Sequence, residues 1–196
     1  MTTITVDMVM SWHPCWSEPA VRSVVGDGLP VTSDTVRQVR ARGVSDEDIV
    51  WAACRALDAS TRTAWLERVV TRAVTTHALH CGVPAIESWA RRWLGGEDRT
   101  AKSAWAVAEA TRSVVEAAAE AVDAWYSAPG AEEDAGEAAA VAYSVVMAAS
   151  AARAAEAWAS ARAAEASSHA ALAAWADAVE WSRQVEDLCE VLGCAT

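Results

Sequence analysis

Residues 131–192 read AEEDAGEAAAVAYSVVMAASAARAAEAWASARAAEASSHAALAAWADAVEWSRQVEDLCEVL. Alanine has the highest intrinsic helix propensity, because it loses no side-chain entropy when a helix orders. The segment therefore predicts one long helix, or a helix that is broken once into a hairpin. Alanine buries little apolar area, so Trp158, Trp175 and Trp181 are expected to be the large side chains in its contacts with other helices.

The end of this segment has a regular apolar stripe. Four apolar residues follow the spacing i, i+4, i+7 and i+11, which places them on one face of a helix. They are Trp181, Val185, Leu188 and Leu192. Gly193 is expected to end this helix.

The first 59 residues contain start and stop signals for four short helices. Pro14 ends the first helix, because proline disfavours the helical conformation in the residue before it. Pro19 stands at the start of the second helix. Thr32 or Ser33 caps the third, and Ser45-Asp-Glu-Asp48 resembles a capping box that opens the fourth. These signals leave little room for strands.

Residues 60–128 predict longer amphipathic helices. One runs from Ser60 to Gly82, a second starts at Pro84, and a third starts near Thr100. Pro129-Gly130 then turns the chain back, which favours an antiparallel pair with the Ala-rich segment. The side of the third helix that is expected to face its neighbours consists of Ala101, Trp105, Ala108, Thr111, Val115, Ala118, Val122 and Trp125.

Together these patterns predict an all-α fold in which residues 1–196 form a single domain. Short helices in residues 1–59 cap a helical bundle. The bundle contains the amphipathic helices of residues 60–128 and a long Ala-rich C-terminal helix, or helical hairpin, in residues 131–192. A chain of 196 residues is long enough to bury a substantial core.

Charge is distributed unequally along the chain. The net charge is −11; residues 1–99 hold 11 basic and 12 acidic side chains, whereas residues 100–196 hold 5 and 15. An acidic surface repels nucleic acid and anionic membranes and attracts a basic partner. An alternative role of these acids is to keep an apolar helix soluble. The predicted partner-binding residues are Glu132, Glu133, Asp134 and Glu137.

The sequence has no evident membrane or export signal. The first seven residues lack a basic start followed by an apolar run. The longest uncharged run of the helical half, between Glu137 and Arg153, is shorter than the ~20 residues that a membrane span needs. Five cysteines at irregular spacing argue against a disulfide framework. We therefore expect a soluble, cytoplasmic protein.

Three elements of the chain carry a family resemblance: Trp12-His-Pro-Cys15, VSDEDIVWAACR at residues 44–55, and PAIESWARRWLGGE at residues 84–97. Ala-Trp-Ala and Arg-Ala-Ala runs after Thr100 match by composition. With these elements in this order, the chain resembles the alanine- and tryptophan-rich immunity-protein family of bacterial and phage genomes. Residues 68–74 depart from the family, whose members often have a Cys-rich helix there. The resemblance implies a small soluble protein that binds another protein and has no assigned catalytic residues.

Motifs for catalysis are missing from the sequence. The only lysine, Lys102, lies outside any Gly-rich phosphate loop, and the cysteines form no Cys-x-x-Cys pair. No serine or histidine stands in a recognised nucleophile motif. We therefore predict a protein that is not an enzyme and needs no cofactor.

One set of side chains has the chemistry of a metal site. His77 and Cys81 are four residues apart on a predicted helix, and His13 and Cys15 could complete a tetrahedral zinc site with them. The spacing matches no standard zinc module. The alternative, which we favour, is that His77 and Cys81 belong to the apolar face of their helix.

The 11 tryptophans have two interpretations. Most share helix faces with other apolar residues, which indicates core packing. Trp16 stands beside prolines in a predicted loop and is the expected exposed exception, so it is a further candidate for partner binding.

Two functions from different classes remain. The first is a non-catalytic inhibitor of the immunity or anti-defence type, whose acidic helical surface occupies the basic surface of a nuclease or another nucleic-acid-binding protein. The second is a structural or assembly protein whose exposed alanine faces pair chains into a homo-oligomer. Neither function involves direct binding to nucleic acid or to a membrane.

Overall fold

The computed structural model describes residues 2–127, 133–160 and 178–194. This part of the chain is mainly helical and contains one two-stranded sheet, which confirms the expected all-α helical bundle. The chain divides into two compact units. Unit 1 comprises Met1–Trp65 and Ala178–Thr196, and unit 2 comprises Leu66–Asp177. The single-domain interpretation of residues 1–196 stays a prediction.

The elements follow one another in this order: β1 (Thr3–Ile4), α1 (Val6–Ser11), α2 (Glu18–Val25), β2 (Leu29–Pro30), α3 (Ser33–Ala41), α4 (Asp46–Ala56), α5 (Ala59–Ala73), a π-helix (Val74–Ala78), α6 (Pro84–Leu94), α7 (Ala101–Ala110), α8 (Arg112–Ser127), α9 (Glu133–Ala159) and α10 (Ala178–Cys194). β1 and β2 are antiparallel, with Thr3 opposite Pro30. Among the described residues, no helix has the length and apolar character needed to cross a membrane.

Polar side chains start three helices of unit 1 where the sequence predicts. The hydroxyl groups of Thr5, Thr32 and Ser45 each accept a hydrogen bond from the backbone N–H three residues further on, at 3.3, 3.2 and 3.1 Å. These bonds satisfy backbone donors of the first turn that have no partner within the helix. The caps therefore fix where α1, α3 and α4 begin.

The apolar stripe of α10 is buried in unit 1, as expected from its spacing. α10 packs on α3 and α4. Val185, Leu188 and Leu192 are buried, and Trp181 is half-buried. The predicted stop at Gly193 is wrong, because α10 continues to Cys194.

Two polar contacts connect α10 to earlier parts of unit 1. The indole N–H of the fully buried Trp65 donates a hydrogen bond to the backbone carbonyl of Gln184 at 2.9 Å. Arg40 forms an ion pair with Asp46 at 2.8 Å and donates to the hydroxyl of Ser182 at 2.6 Å. Because these contacts join residues far apart in the sequence, α10 is an integral part of unit 1.

The Ala-rich helix α9 forms the centre of unit 2. α6, α7, α8 and the π-helix all pack on α9. Arg153 of α9 is exposed, whereas the small side chains of its packed sides allow the neighbouring helices to approach closely. Within the predicted segment 131–192, residues 161–177 lie outside the described part of the chain. The most buried alanines of α9 are Ala148, Ala149, Ala151, Ala152, Ala154, Ala155 and Ala157.

The helix predicted from Thr100 is interrupted at Thr111. The buried hydroxyl of Thr111 donates to the carbonyl of Val107 at 2.7 Å. Such bonds to the preceding turn tend to bend helices. Thr111 is the C-cap of α7, with a φ of −103° and a ψ of 2°, which are not helical angles. α8 then begins at Arg112 as a separate helix.

The buried side of α7 differs from the prediction. Ala104, Val107 and Thr111 are buried, whereas Trp105 is 57% exposed. The prediction that Trp105 faces the neighbouring helices is therefore wrong. α7 is rich in alanine, so its sequence has no unique apolar face, and packing against α9 selects the side that contains Ala104.

Candidate protein-binding surfaces

The four predicted acidic residues cannot be placed on a surface. Glu132 lies outside the described residues. Glu133, Asp134 and Glu137 have their backbone in the first two turns of α9, but their side chains lie outside the described part of the chain. Their role in binding a partner stays a prediction.

The four candidate zinc ligands are distributed over both units. His13 and Cys15 are exposed in the loop after α1. His77 lies in the π-helix, and Cys81 lies in the turn that follows, so the expected α-helical spacing is lost. Burial lowers the pKa of His77 and raises that of the Cys81 thiol.

Among residues 2–127, 133–160 and 178–194, no three His, Cys, Asp or Glu side chains come together in an arrangement suited to a metal ion.

A cluster of partly buried aromatic side chains covers the core of unit 1. Met10, Trp12, Trp16 and Trp51 pack against a group of buried residues that includes Ile4, Val6, Val9, Val21 and Val25. These four residues are termed the aromatic cluster. The rings of Trp12 and Trp51 meet edge to face, with centroids 5.9 Å apart. Trp16 is partly exposed, and its role in binding a partner stays a prediction.

The aromatic cluster joins two of the sequence elements that carry the family resemblance. Trp12 belongs to the first element, and Trp51 and Arg55 belong to the second. The guanidinium of Arg55 lies 4.2 Å from the centroid of the Trp51 ring and donates to the Trp51 carbonyl at 3.2 Å. His13 has a φ of +54°, which residues other than glycine seldom adopt. Side chains from two elements that are far apart in the sequence therefore lie next to each other in unit 1.

A second surface follows the outer sides of α7 and α8. Trp105 is the most exposed large hydrophobic side chain among the described residues. Glu109 follows Trp105 by one turn on α7, and Glu116 and Glu120 lie one turn apart on α8. These four residues are all at least partly exposed. They are termed the acidic face.

The carboxylates of the acidic face differ in whether a basic side chain forms an ion pair with them. Arg112 pairs with Glu109 at 2.5 Å. Glu116 and Glu120 are exposed, and no basic side chain of the described residues pairs with them. Like charges one turn apart on a helix repel each other. The acidic face therefore contains an exposed tryptophan on α7 and, on α8, two carboxylates that have no ion-pair partner among the described residues.

Sequence reasoning did not find the acidic face. Apolar spacing places Trp105 on the buried side of its helix, so the sequence gives no reason to expect a surface that contains Trp105, Glu116 and Glu120. The four-residue spacing of the two glutamates is the signal that the sequence does contain. This spacing indicates a binding surface only when the exposure of Trp105 is also known.

Comparison of the chain with protein-family models, curated proteins and solved structures finds no significant match. The resemblance to the immunity-protein family stays a prediction.

Proposed function

We propose that this protein is a non-catalytic inhibitor of the immunity or anti-defence type that binds a basic protein, such as a nuclease or another nucleic-acid-binding protein. The observation that carries the proposal is the acidic face, where the exposed Trp105 precedes the unpaired carboxylates of Glu116 and Glu120. The net charge of −11 supports the same class of partner.

Trp105 and the glutamates would have different tasks in this complex. Tryptophan is enriched among the residues that contribute most to protein binding, because it buries a large area with little loss of conformational entropy. Carboxylates at the edge of an interface mainly accelerate association with a basic partner and exclude acidic competitors. Binding is therefore expected to weaken as salt increases.

Self-association through alanine faces has less support. Among the described alanines of α9, all but the partly buried Ala159 are buried against other helices of unit 2. They are therefore not available to pair one chain with another. This burial favours the inhibitor over the assembly protein.

Affinity capture with the full-length chain tests the proposal. An extract of the organism that encodes the protein is applied at low and at high salt, and retained proteins are identified by mass spectrometry. We expect a basic protein that is lost at high salt. Recovery of only the chain itself would favour self-association instead.

Variants then locate the binding surface on the captured partner. Trp105→Ala is expected to weaken the affinity at least tenfold, and Glu116→Lys is expected to reduce the association rate. Glu186→Lys is the matched control, because it makes the same charge change at an exposed position of α10. Equal affinities for Trp105→Ala, Glu116→Lys and the unmodified chain would exclude the acidic face.

A further inference from the structure

We propose that the aromatic cluster, together with Arg55 and Arg62, is a second docking surface, which binds a carboxylate-bearing peptide segment of another protein. The proposal concerns unit 1 and does not depend on the acidic face. It would add a second contact, of opposite charge preference, to the one described for α7 and α8.

Two arginines lie at the C-terminal end of α4. Arg55 stacks on Trp51, and Arg62 donates a hydrogen bond to the carbonyl of Cys54 at 3.1 Å. Both guanidinium groups are close enough to Cys54 to lower the pKa of its thiol, against the burial that raises it to about 11. The two cations thus occupy the same end of the helix, beside the aromatic cluster.

Neither arginine has a carboxylate partner among the described residues. The nearest acid in the sequence, Asp58, accepts hydrogen bonds from the backbone and hydroxyl groups of Ser60 and Thr61 instead. Three other arginines of unit 1 have such partners, in the ion pairs Arg22–Glu18, Arg37–Asp34 and Arg40–Asp46, whereas Arg42 donates to the carbonyl of Val24. Arg55 differs from Arg42 in that its guanidinium stacks on an aromatic ring.

The geometry of Arg55 suits a carboxylate. A guanidinium that stacks on an aromatic ring keeps its planar set of donors oriented, and this set matches the two oxygens of a carboxylate. One donor is occupied by the carbonyl of Trp51 at 3.2 Å. The remaining donors of the exposed side chain point to a ligand from outside unit 1.

The aromatic cluster determines the class of the partner. Tryptophan, methionine and arginine are enriched where proteins bind each other, and Met10, Trp12, Trp16 and Trp51 are all partly exposed around one core. A ligand that combines one carboxylate with a neighbouring apolar side chain complements both parts of the surface. Nucleic acid is disfavoured, because a polyanion is repelled by the net negative charge of the chain.

Nuclear magnetic resonance of the indole N–H groups in the full-length protein provides the test. The probe is the peptide acetyl-Leu-Glu-Leu-amide, and its matched control is acetyl-Leu-Gln-Leu-amide. We expect the glutamate peptide to shift the Trp12 and Trp51 signals in a saturable way at millimolar concentrations. The glutamine peptide is expected to bind at least fivefold more weakly.

Arginine variants separate a docking role from a structural one. Arg55→Gln and Arg62→Gln are expected to reduce the affinity for the glutamate peptide at least fivefold. Arg55→Lys, which keeps the charge but loses the planar donors, should also weaken binding. Arg183→Gln removes an exposed arginine of α10 and should leave the affinity unchanged.

Three results would overturn the proposal. The first is equal binding of the glutamate and glutamine peptides. The second is unchanged peptide affinity in both glutamine variants, which would mean that the arginines only stabilise the end of α4. The third is binding of inorganic phosphate as tightly as the glutamate peptide, which would indicate a general anion site. Trp105→Ala leaves this surface intact, so the two docking proposals can fail separately.

Discussion

Fully buried tryptophans differ in whether their indole N–H has a partner. The N–H of Trp65 donates to the carbonyl of Gln184, whereas those of Trp89 and Trp93 have no acceptor among the described residues. A buried donor without an acceptor costs about 1–3 kcal/mol, because it has lost its hydrogen bonds to water. Equal burial therefore does not mean an equal contribution to stability.

Replacement of these tryptophans by phenylalanine makes the difference measurable. Trp65→Phe removes volume and a hydrogen bond, whereas Trp89→Phe removes similar volume and an unsatisfied donor. We expect Trp65→Phe to lower the free energy of unfolding by about 1–2 kcal/mol more than Trp89→Phe. Urea denaturation followed by circular dichroism provides the measurement. Equal decreases in the free energy of unfolding of the two variants would show that the hydrogen bond from Trp65 to Gln184 adds no net stability.

Asp58 predicts a dependence of stability on pH. Hydrogen bonds from Ser60 and Thr61 to its carboxylate lower the pKa of Asp58 in the folded state. Because the pKa in the unfolded chain is about 3.9, Asp58 stabilises the fold above about pH 4, and this effect is lost as the pH falls toward the folded-state pKa. Asp58→Ala should therefore destabilise the protein more at pH 7 than at pH 3. Urea midpoints that shift equally at both pH values would contradict this role.

At the scale of the helix, the close packing of its buried alanines makes α9 intolerant of larger side chains at those positions. Ala151 is fully buried, and α6, α7, α8 and the π-helix pack on α9. Ala151→Leu is expected to cost about 1–3 kcal/mol of unfolding free energy, because the added atoms force neighbouring helices apart. Ala117→Leu on the exposed side of α8 is the control, with an expected change within about 0.5 kcal/mol. Similar thermal midpoints for the two variants would mean that α9 has room for the larger residue.

The helices of this protein are predictable where local chemistry decides them. Caps such as Ser45 and apolar spacing such as that of Val185, Leu188 and Leu192 give the correct elements and the correct buried side. β1 and β2 were not predicted, since two residues are too short to show alternation and β2 contains Pro30. The face of α7 could not be predicted, because alanine fits a core and a surface equally well.

The candidate site is less predictable than the fold. The acidic half of the chain and the family elements around Trp12 and Trp51 are visible in the sequence. That Trp12 meets Trp51, and that Trp105 is exposed, depends on how separate helices pack. Such contacts between distant residues leave no periodic signal in one sequence.

At the scale of the whole molecule, the last described helix completes the unit formed by the first residues. Leu188 is almost fully buried in unit 1, and α10 packs on α3 and α4. Leu188→Ala is expected to cost about 2–5 kcal/mol and to accelerate hydrogen exchange of the backbone in α3 and α4. Glu186→Ala, on the exposed side of α10, should leave that exchange unchanged. Faster exchange confined to α10 would indicate that α3 and α4 do not depend on it.

The discontinuity of unit 1 affects folding during synthesis. The ribosome makes residues 66–177 after Trp65 and before α10, which takes roughly 6–23 s at typical elongation rates. During this interval α10 has not been synthesised, so the sides of α3 and α4 that it later contacts are exposed. Chaperones can bind these exposed sides. Unit 2 is continuous in sequence and can form earlier. In the cell, the middle of the chain is therefore expected to fold before its beginning.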